Sequence, residues 1–537
     1  MAISSSDSAD IEQDVDETSP LLTNQHEQKW KPPKGFMWIE VAIFANVFLT
    51  GFDGTIMAST YALISSEFSA ANTASWLTTS YLITTTAFQP LYGRFSDIFG
   101  RRTCFFIAGT SFMIGCLGCA VAQTVWVLNL MRAVTGIGGG GLMTVATIIN
   151  SDLIPFRKRG IYQAVQNVLF GFGSICGASL GGVIADTIGW RWCFILQVPV
   201  SLLALGVGYF AIKNPEKFGH DALDAEDQRS VWRKVDIAGS ALLILSLSAQ
   251  LVALSLGGNE LPWSNVWVIT TLVGSVVLLG LFVLVEAKTK ALPIIPLRML
   301  RGFRPIATQL ANVFFGMAAY AFLFQVPLFF QVVLGESASR AGSRLIIPSL
   351  ATLIGGVIAG VVMSRWGKLA SLVRAGAFLM TLGNVLVATF EFHDSGWKYI
   401  VYLFPANLGQ GMAYPSTLFT FLAIFDHSAD HAVSSSTVYL IRSLGTVWGV
   451  AITSAITQNV LKARLPGALS GIPDKWRVID EIRHSVGALH QLPPDVEMRA
   501  RMVYYEGIRL SFIASSGFAL VGFIAALFTR GRGLERS

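Results

Sequence analysis

The stretch TCFFIAGTSFMIGCLGCAVA, residues 103–122, has no charged side chain, and runs like it recur from end to end of the 537 residues. About 20 apolar residues in a helix span the hydrocarbon core of a bilayer, and only helices or closed barrels satisfy their backbone there. Charged residues are 13% of the chain, about half the share of a soluble domain, while apolar types reach 53% and mean hydropathy is +0.57. One soluble core cannot hide that much apolar surface, so the fold class is an all-α polytopic membrane protein.

Fourteen spans are predicted, at about 38–62, 75–94, 103–123, 126–149, 163–185, 192–212, 236–257, 265–286, 306–334, 345–366, 372–391, 398–424, 433–460 and 509–530. They divide the chain into a disordered acidic tail (1–37), a six-helix half (38–212), a linker (213–235), two additional helices (236–286) and a second linker (287–305). A second six-helix half (306–530) with a luminal loop at 461–508 and a short tail (531–537) complete it. The formal charge of +6 is spread over short clusters between apolar runs, such as Arg101/Arg102 and Arg157–Lys158–Arg159. Clusters of that kind orient helices, with the positive loops in the cytosol, and are no sign of nucleic-acid binding. Both termini are then cytosolic; the long segment 461–508 carries several basic residues on the far side as an exception.

Glycine spacing points to an internal repeat. Gly93 and Gly100 recur as Gly360 and Gly367, and Gly173 and Gly177 recur as Gly445 and Gly449, at offsets of 267 and 272 residues. Two such pairs fit two related halves around a midplane site, a plan common to transporters, although glycine also serves close helix packing in lipid by itself. The junction GRFSDIFGRR (93–102) reads as a tight turn between spans 2 and 3. Its Asp97 is able to latch one state of a moving bundle, or the charges only set topology.

GRFSDIFGRR, with Gly93, Asp97, Gly100, Arg101 and Arg102, resembles the loop signature of the major facilitator superfamily. LMRAVTGIGGGG (130–141) is similar to its fourth-helix motif. GFGSICGASLGGVIAD (171–186), with Gly173, Gly177, Gly181 and Gly182, resembles its fifth-helix antiporter motif. GWRWCFILQVP (189–199) and GFDGTIMASTYALI (51–64) resemble motifs of the fourteen-helix drug:proton antiporter subfamily. The chain departs from the pattern at Ala178, where proline is usual, at Gln197, where asparagine is common, and at Ser364, which stands in the second half where Asp97 stands in the first. GASLGG and GFDGTIMAST instead resemble the fungal vacuolar basic amino acid transporters of that subfamily. The resemblance implies a major facilitator fold and proton-coupled exchange.

Ionisable side chains within spans are costly and few. Asp53 in span 1, Arg132 in span 4 and Arg442 in span 13 stand out. A partly desolvated carboxylate suits a group that alternates between a proton and a cation, so Asp53 is the candidate proton-coupling and substrate residue; a structural pair with Arg132 is the competing reading. The resemblance implies that Arg132 modulates that proton. Gln163, Asn167, Gln325 and Arg442 are candidates to bind an amino-acid headgroup, or else serve helix packing. Glu67, Asp152, Asp186 and Glu391 fall near span ends and read as interfacial, and Tyr320, Phe322 and Phe324 as packing.

ETSPLL in the acidic tail fits a dileucine sorting signal, with Glu17, Leu21 and Leu22 docking on an adaptor. The five cysteines lie in apolar runs without further ligands nearby, so neither a metal nor any other cofactor is expected. No phosphate-binding GxxxxGK[ST] or HExxH occurs, and the one GxSxG spacing, GASLG (177–181), lies within an apolar span; an enzyme or an ATP-driven pump is the least expected reading. The leading expectation is a monomeric antiporter of the vacuolar membrane that moves basic amino acids (Lys, Arg, His) from cytosol to vacuole against protons. A plasma-membrane exporter of drugs, toxins or siderophores is the alternative. A non-transporting receptor or scaffold is the alternative of another class.

Overall fold

The computed structural model describes residues 32–68, 75–212, 234–257, 261–289, 291–336, 338–425, 431–469, 475–484, 489 and 492–529. The acidic tail with Glu17, Leu21 and Leu22 lies outside them. Among the described residues the only pairings outside helices are the isolated bridges Val235–Leu292 and Gly257–Leu261.

The first half comprises α1 (Phe36–Glu67), α2 (Ser75–Phe99), α3 (Arg101–Val121), α4 (Val125–Leu153), α5 (Phe156–Thr187), and the short α6 (Trp190–Ile195) that continues into α7 (Gln197–Ala211). Two further helices follow, α8 (Ile237–Leu256) and α9 (Val266–Lys288). The second half comprises α10 (Phe303–Leu328), α11 (Ala338–Trp366), α12 (Leu369–Val387), α13 (Gly396–Val401) leading into α14 (Phe404–Leu422), α15 (His431–Ala468), α16 (Lys475–His484) and α17 (Pro494–Leu527). Pro327 withholds a backbone donor near the end of α10, and a π-helical turn, Phe329–Val333, follows at once.

Twelve helical segments among the described residues are long and apolar enough to cross a membrane. α2 and α14 are less apolar, yet match the predicted spans and complete fourteen. Each packs among other helices, α2 against α4, α8 and α15, and α14 against α11 and α12, so neither needs an all-round apolar surface. Outward-facing Trp126, Phe210, Trp267 and Val276 are exposed, as a lipid-facing surface requires.

The two halves repeat one packing scheme, with α1 on α5 and α7 matched by α10 on α15 and α17, and α4 on α2 and α3 matched by α14 on α11 and α12. The repeat reaches individual atoms. A Cβ on Gly51 would stand 2.2 Å from the Phe170 carbonyl oxygen, and one on Gly316 would stand 2.5 Å from that of Arg442. Gly173 and Gly177 press in the same way on the Phe48 and Phe52 carbonyls, as Gly445 and Gly449 do on those of Val313 and Met317. Backbone approach this close leaves no room for any side chain, which is how glycine substitutes for a hydrophobic driving force between helices in lipid.

The halves meet along two seams. On one, Gly93 of α2 lies against Ser436 and Ala432 of α15; on the other, Gly360 of α11 lies against Gly160 and Ala164 of α5. Both contacts fall toward the end of the bundle that carries residues 93–102. Helices α8 and α9 cover the first seam: Leu243, Leu247 and Phe282 pack with Ala87, Leu91 and Leu440, and Thr79 and Ser255 hydroxyls share a 3.1 Å hydrogen bond. These two helices, which stand outside the repeat, thus pack over one seam only.

One segment departs from expectation. The stretch expected as a loop, 461–508, is largely helical: α15 runs on to Ala468, α16 follows, and α17 begins at Pro494. Leu461, Leu465, Leu469, Ile479, Leu489, Val496 and Ala500 bury against Val326, Phe329, Phe330 and Val333 at the end of the second half. Lys462, Arg464, Asp495 and Arg499 are exposed, and the apolar residues between such charges supply a core.

Replacing Gly177 by valine forces α1 and α5 apart and is expected to lower stability by about 1–3 kcal/mol. Gly54→Ala, at a position with nothing within 4 Å, is expected to leave it nearly unchanged. Thermal unfolding of the purified variants checks both.

Candidate functional site

The polar residues read from the sequence fall into three groups, and the helix contacts above decide where each stands. The glycine run of α4 sets the first. Gly136 and Gly140 approach the Tyr81 and Thr85 carbonyls of α2, and Gly138 that of Ala108 on α3, at 2.4–2.6 Å for an added Cβ. Arg132, one turn before this run, is thereby held against α2, while Gly173 and Gly177 hold α1 and its Asp53 against α5.

Arg132 and Asp53 meet in the interior. One guanidinium nitrogen, Nη1, donates to both Asp53 carboxylate oxygens, at 2.7 Å and 2.9 Å. Nε donates to the Leu77 carbonyl at 3.2 Å, and the guanidinium lies 4.5 Å from the Tyr81 ring centre. Gln197 of α7 adds a 3.4 Å bond from Nε2 to Asp53 Oδ1, while also donating to the Cys193 carbonyl. Asp53 is 0% exposed and Arg132 1%. The cost of desolvating two such charges is met by their attraction only with geometry of this quality, and removing either partner strands the other. In this conformation Asp53 presents no free oxygen to a substrate.

The second group surrounds Arg442 on α15. Nε donates to Asn312 Oδ1 and Nη2 to the Tyr414 carbonyl, each at 2.9 Å, and the guanidinium lies 4.2 Å from the Tyr414 ring centre. Asn312 is itself anchored by its amide to the Val438 carbonyl. No carboxylate pairs with Arg442 among the described residues, in contrast to Arg132. Gln163 and Asn167 bond to each other along α5 at 3.4 Å, and Gln325 accepts from Thr457 at 3.5 Å. The structure thus brings Asp53 and Arg132 together, and leaves Gln325 apart in a buried α10–α15 contact.

The third group is GRFSDIFGRR. Gly100 caps α3 at φ 86°, a left-handed conformation that favours glycine, and Gly367 repeats it at φ 62°. Arg101 ties three elements: it donates to Asp97 Oδ1 at 2.6 Å, to Ser96 Oγ at 3.0 Å and to Asp152 Oδ2, at the end of α4, at 2.7 Å. Arg94 stands 3.6 Å from Asp97 and donates to the Pro293 carbonyl at 2.6 Å, linking the segment after α9. Arg102 turns outward to the Tyr209 carbonyl and ring. Gly181 accepts from the Cys193 thiol, and Gly182 follows it half-buried on α5. Nearby cross-seam bonds join Thr147 to Tyr439 at 2.8 Å, Gln89 to Ser443 at 3.0 Å and Arg159 to His431 at 3.2 Å.

Glu67, at the opposite end, accepts from the Trp190 indole and from Arg191, and the Trp190 hydrogen bond holds its carboxyl below the usual carboxylate range. Reading the sequence missed Gln197 as a partner of Asp53, and Asn312 and Tyr414 as the holders of Arg442. An amide within an apolar span is a visible signal for Asn312 and Gln197; the Tyr414 contact is carried by tertiary structure alone.

Residues 43–450 match the family model described as Major Facilitator Superfamily, and the chain belongs to that superfamily. It is 46% identical over 426 residues, 78% of this chain and 90% of the relative, to vacuolar basic amino acid transporter 2 of Saccharomyces cerevisiae. It is 35% identical to multidrug resistance protein fnx1 of Schizosaccharomyces pombe, over 90% of this chain and 91% of that one. The fold is that of the proton:xylose symporter XylE, with a TM-score of 0.59 at 17% identity, covering 94% of this chain and 98% of the other.

Arg132→Ala leaves Asp53 buried and unpaired, and is expected to destabilise the protein by about 3–5 kcal/mol. Adding Asp53→Asn to it removes the stranded charge and is expected to restore much of the loss, as a double-mutant cycle on thermal unfolding reads out.

Proposed function

We propose that this transporter is a proton-coupled antiporter that moves basic amino acids from the cytosol into the vacuole by alternating access. The cargo class and the vacuolar membrane are supported by the 46% identical vacuolar relative. The single structural observation that carries the reading is the contrast between two buried guanidiniums. Arg132 is neutralised by Asp53, whereas Arg442 is oriented by Asn312 and the Tyr414 carbonyl and faces no carboxylate among the described residues. A fixed, uncompensated cation in a low-dielectric interior is a natural receptor for a carboxylate, and every amino acid brings one.

Proton coupling is assigned to the Asp53–Arg132 pair. While the pair is closed, Arg132 holds both Asp53 oxygens; in the proposed cycle a proton takes its place there and frees that guanidinium. The pair is therefore a two-state element whose occupancy a proton biases. With the N-terminus in the cytosol, the end closed by Gly93–Ser436, Gly160–Gly360, Thr147–Tyr439 and Arg159–His431 is the cytosolic end, and the conformation described is closed to the cytosol. Asp53 joins the substrate site only after the pair parts; Gln163 and Asn167 supply neutral polar contacts near the seam. A monomer, with an adaptor docking on Glu17, Leu21 and Leu22, completes the reading.

The second reading, export of drugs or toxins, is favoured by the 35% identity to a multidrug resistance protein. Isotope-labelled lysine, arginine and histidine uptake into isolated vacuoles, with and without a proton uncoupler, separates the two. The proposal expects uncoupler-sensitive uptake that falls about tenfold or more in Arg442→Gln, the cost of one charge-assisted contact. Unchanged vacuolar uptake in a deletion strain that becomes drug-sensitive would establish export instead.

A further inference from the structure

A second carboxylate lies in the same helix as Asp53, provided for in the opposite way. Glu40, near the start of α1, is 2% exposed, and neither of its carboxyl oxygens has a hydrogen-bond partner. Its polar neighbour on α4 is Asn150, 6% exposed, whose amide oxygen and nitrogen are also unpaired. From α5 it is faced by Tyr162, whose ring stands edge-on to Phe36. Of the charged groups near it on α4 and α5, Asp152 is engaged with Arg101, and Arg159 with the Ile154 carbonyl and the His431 ring, while Lys158 is exposed. Ile39, Ala42, Ile43, Ala146 and Ile149 belong to the apolar cluster that lines this part of α1 and α4.

An ionised carboxylate buried without a partner costs several kcal/mol, whereas the neutral acid costs far less and gains a donor that Asn150 can accept. The place of the cluster adds a second point. Thr147, one turn before Asn150 on α4, makes the bond to Tyr439 across the seam, and Arg159, one turn before Tyr162 on α5, makes the contact to His431. Glu40 therefore sits directly behind the contacts that close this end of the bundle. Both Asp53 oxygens, by contrast, are held by Arg132 in this conformation.

We infer that Glu40 is a second proton-binding site, which holds a proton as the neutral acid while this end is closed and gives it to water when the halves part there. Its coupling role rests on the proton-antiport reading above; its being a proton site does not. In that scheme the two carboxylates of α1 alternate: Glu40 is protonated while Asp53 is paired.

Infrared spectroscopy of the full-length protein in lipid nanodiscs tests the site through the carbonyl stretch of protonated carboxylic acids. At neutral pH, wild type is expected to show such a band, Asp53→Asn to keep it, Glu40→Gln to lose it and Glu40→Asp to shift it. The aspartate variant keeps the acid and serves where glutamine fails to fold. A band unmoved by either Glu40 variant overturns the proposal. Proteoliposomes then read the coupling: lysine uptake by wild type is expected to vary with pH, and Glu40→Gln to flatten that profile. A Glu40→Gln profile identical to wild type overturns the coupling role. Wild-type protein that takes up no lysine would refute the cargo reading and leave the infrared band to decide on Glu40.

Discussion

One buried ion pair constrains the first half of this molecule. Asp53 and Arg132 are sealed from water on helices α1 and α4, and neither charge is tolerable there alone. The surrounding sequence serves that pairing. The glycines of α4 bring Arg132 against the Leu77 carbonyl and Tyr81 ring of α2, those of α5 fix α1, and Gln197 reaches in from α7. The pair is thus a point at which four helices agree on one arrangement.

The second half repeats the scaffold and changes its chemistry. Gly51 and Gly316 meet equivalent carbonyls, those of Phe170 and Arg442, so the position that carries a guanidinium in α15 carries a phenyl ring in α5. Symmetric backbones with unlike side chains give two halves that can rock as similar bodies while offering different groups to a bound molecule. The cross-seam contacts are symmetric as well, Gly93 with Ala432 and Ser436 against Gly360 with Gly160 and Ala164. The packing of α8 and α9 is not symmetric: it covers only the α2–α15 seam.

Much of this plan was legible in the sequence, and the parts that were not have physical reasons. Uncharged runs revealed the spans because lipid leaves the backbone no alternative to internal hydrogen bonds. Glycine offsets revealed the repeat because a backbone-to-backbone crossing tolerates no other residue. Asp53 and Arg132 stood out as charges in apolar surroundings, and a structural pair between them was one of two readings; the sequence could not decide it, since residues 79 apart carry no record of a 2.7 Å contact. The extension over 461–508 was hidden because its charged residues outnumber the spaced apolar ones that build its core. Glu40 lies inside a predicted span without any motif to mark it; only its burial and missing partners set it apart.

The buried Asp53–Arg132 pair is the centre of the account, and proton movement during exchange probes its proposed role directly. Purified protein carrying Asp53→Asn, reconstituted in liposomes with a trapped pH dye, would be challenged with lysine. The account predicts a lysine-evoked pH change in wild type that is abolished in the variant. An undiminished pH change in the variant would contradict it, and would move the coupling proton to another residue.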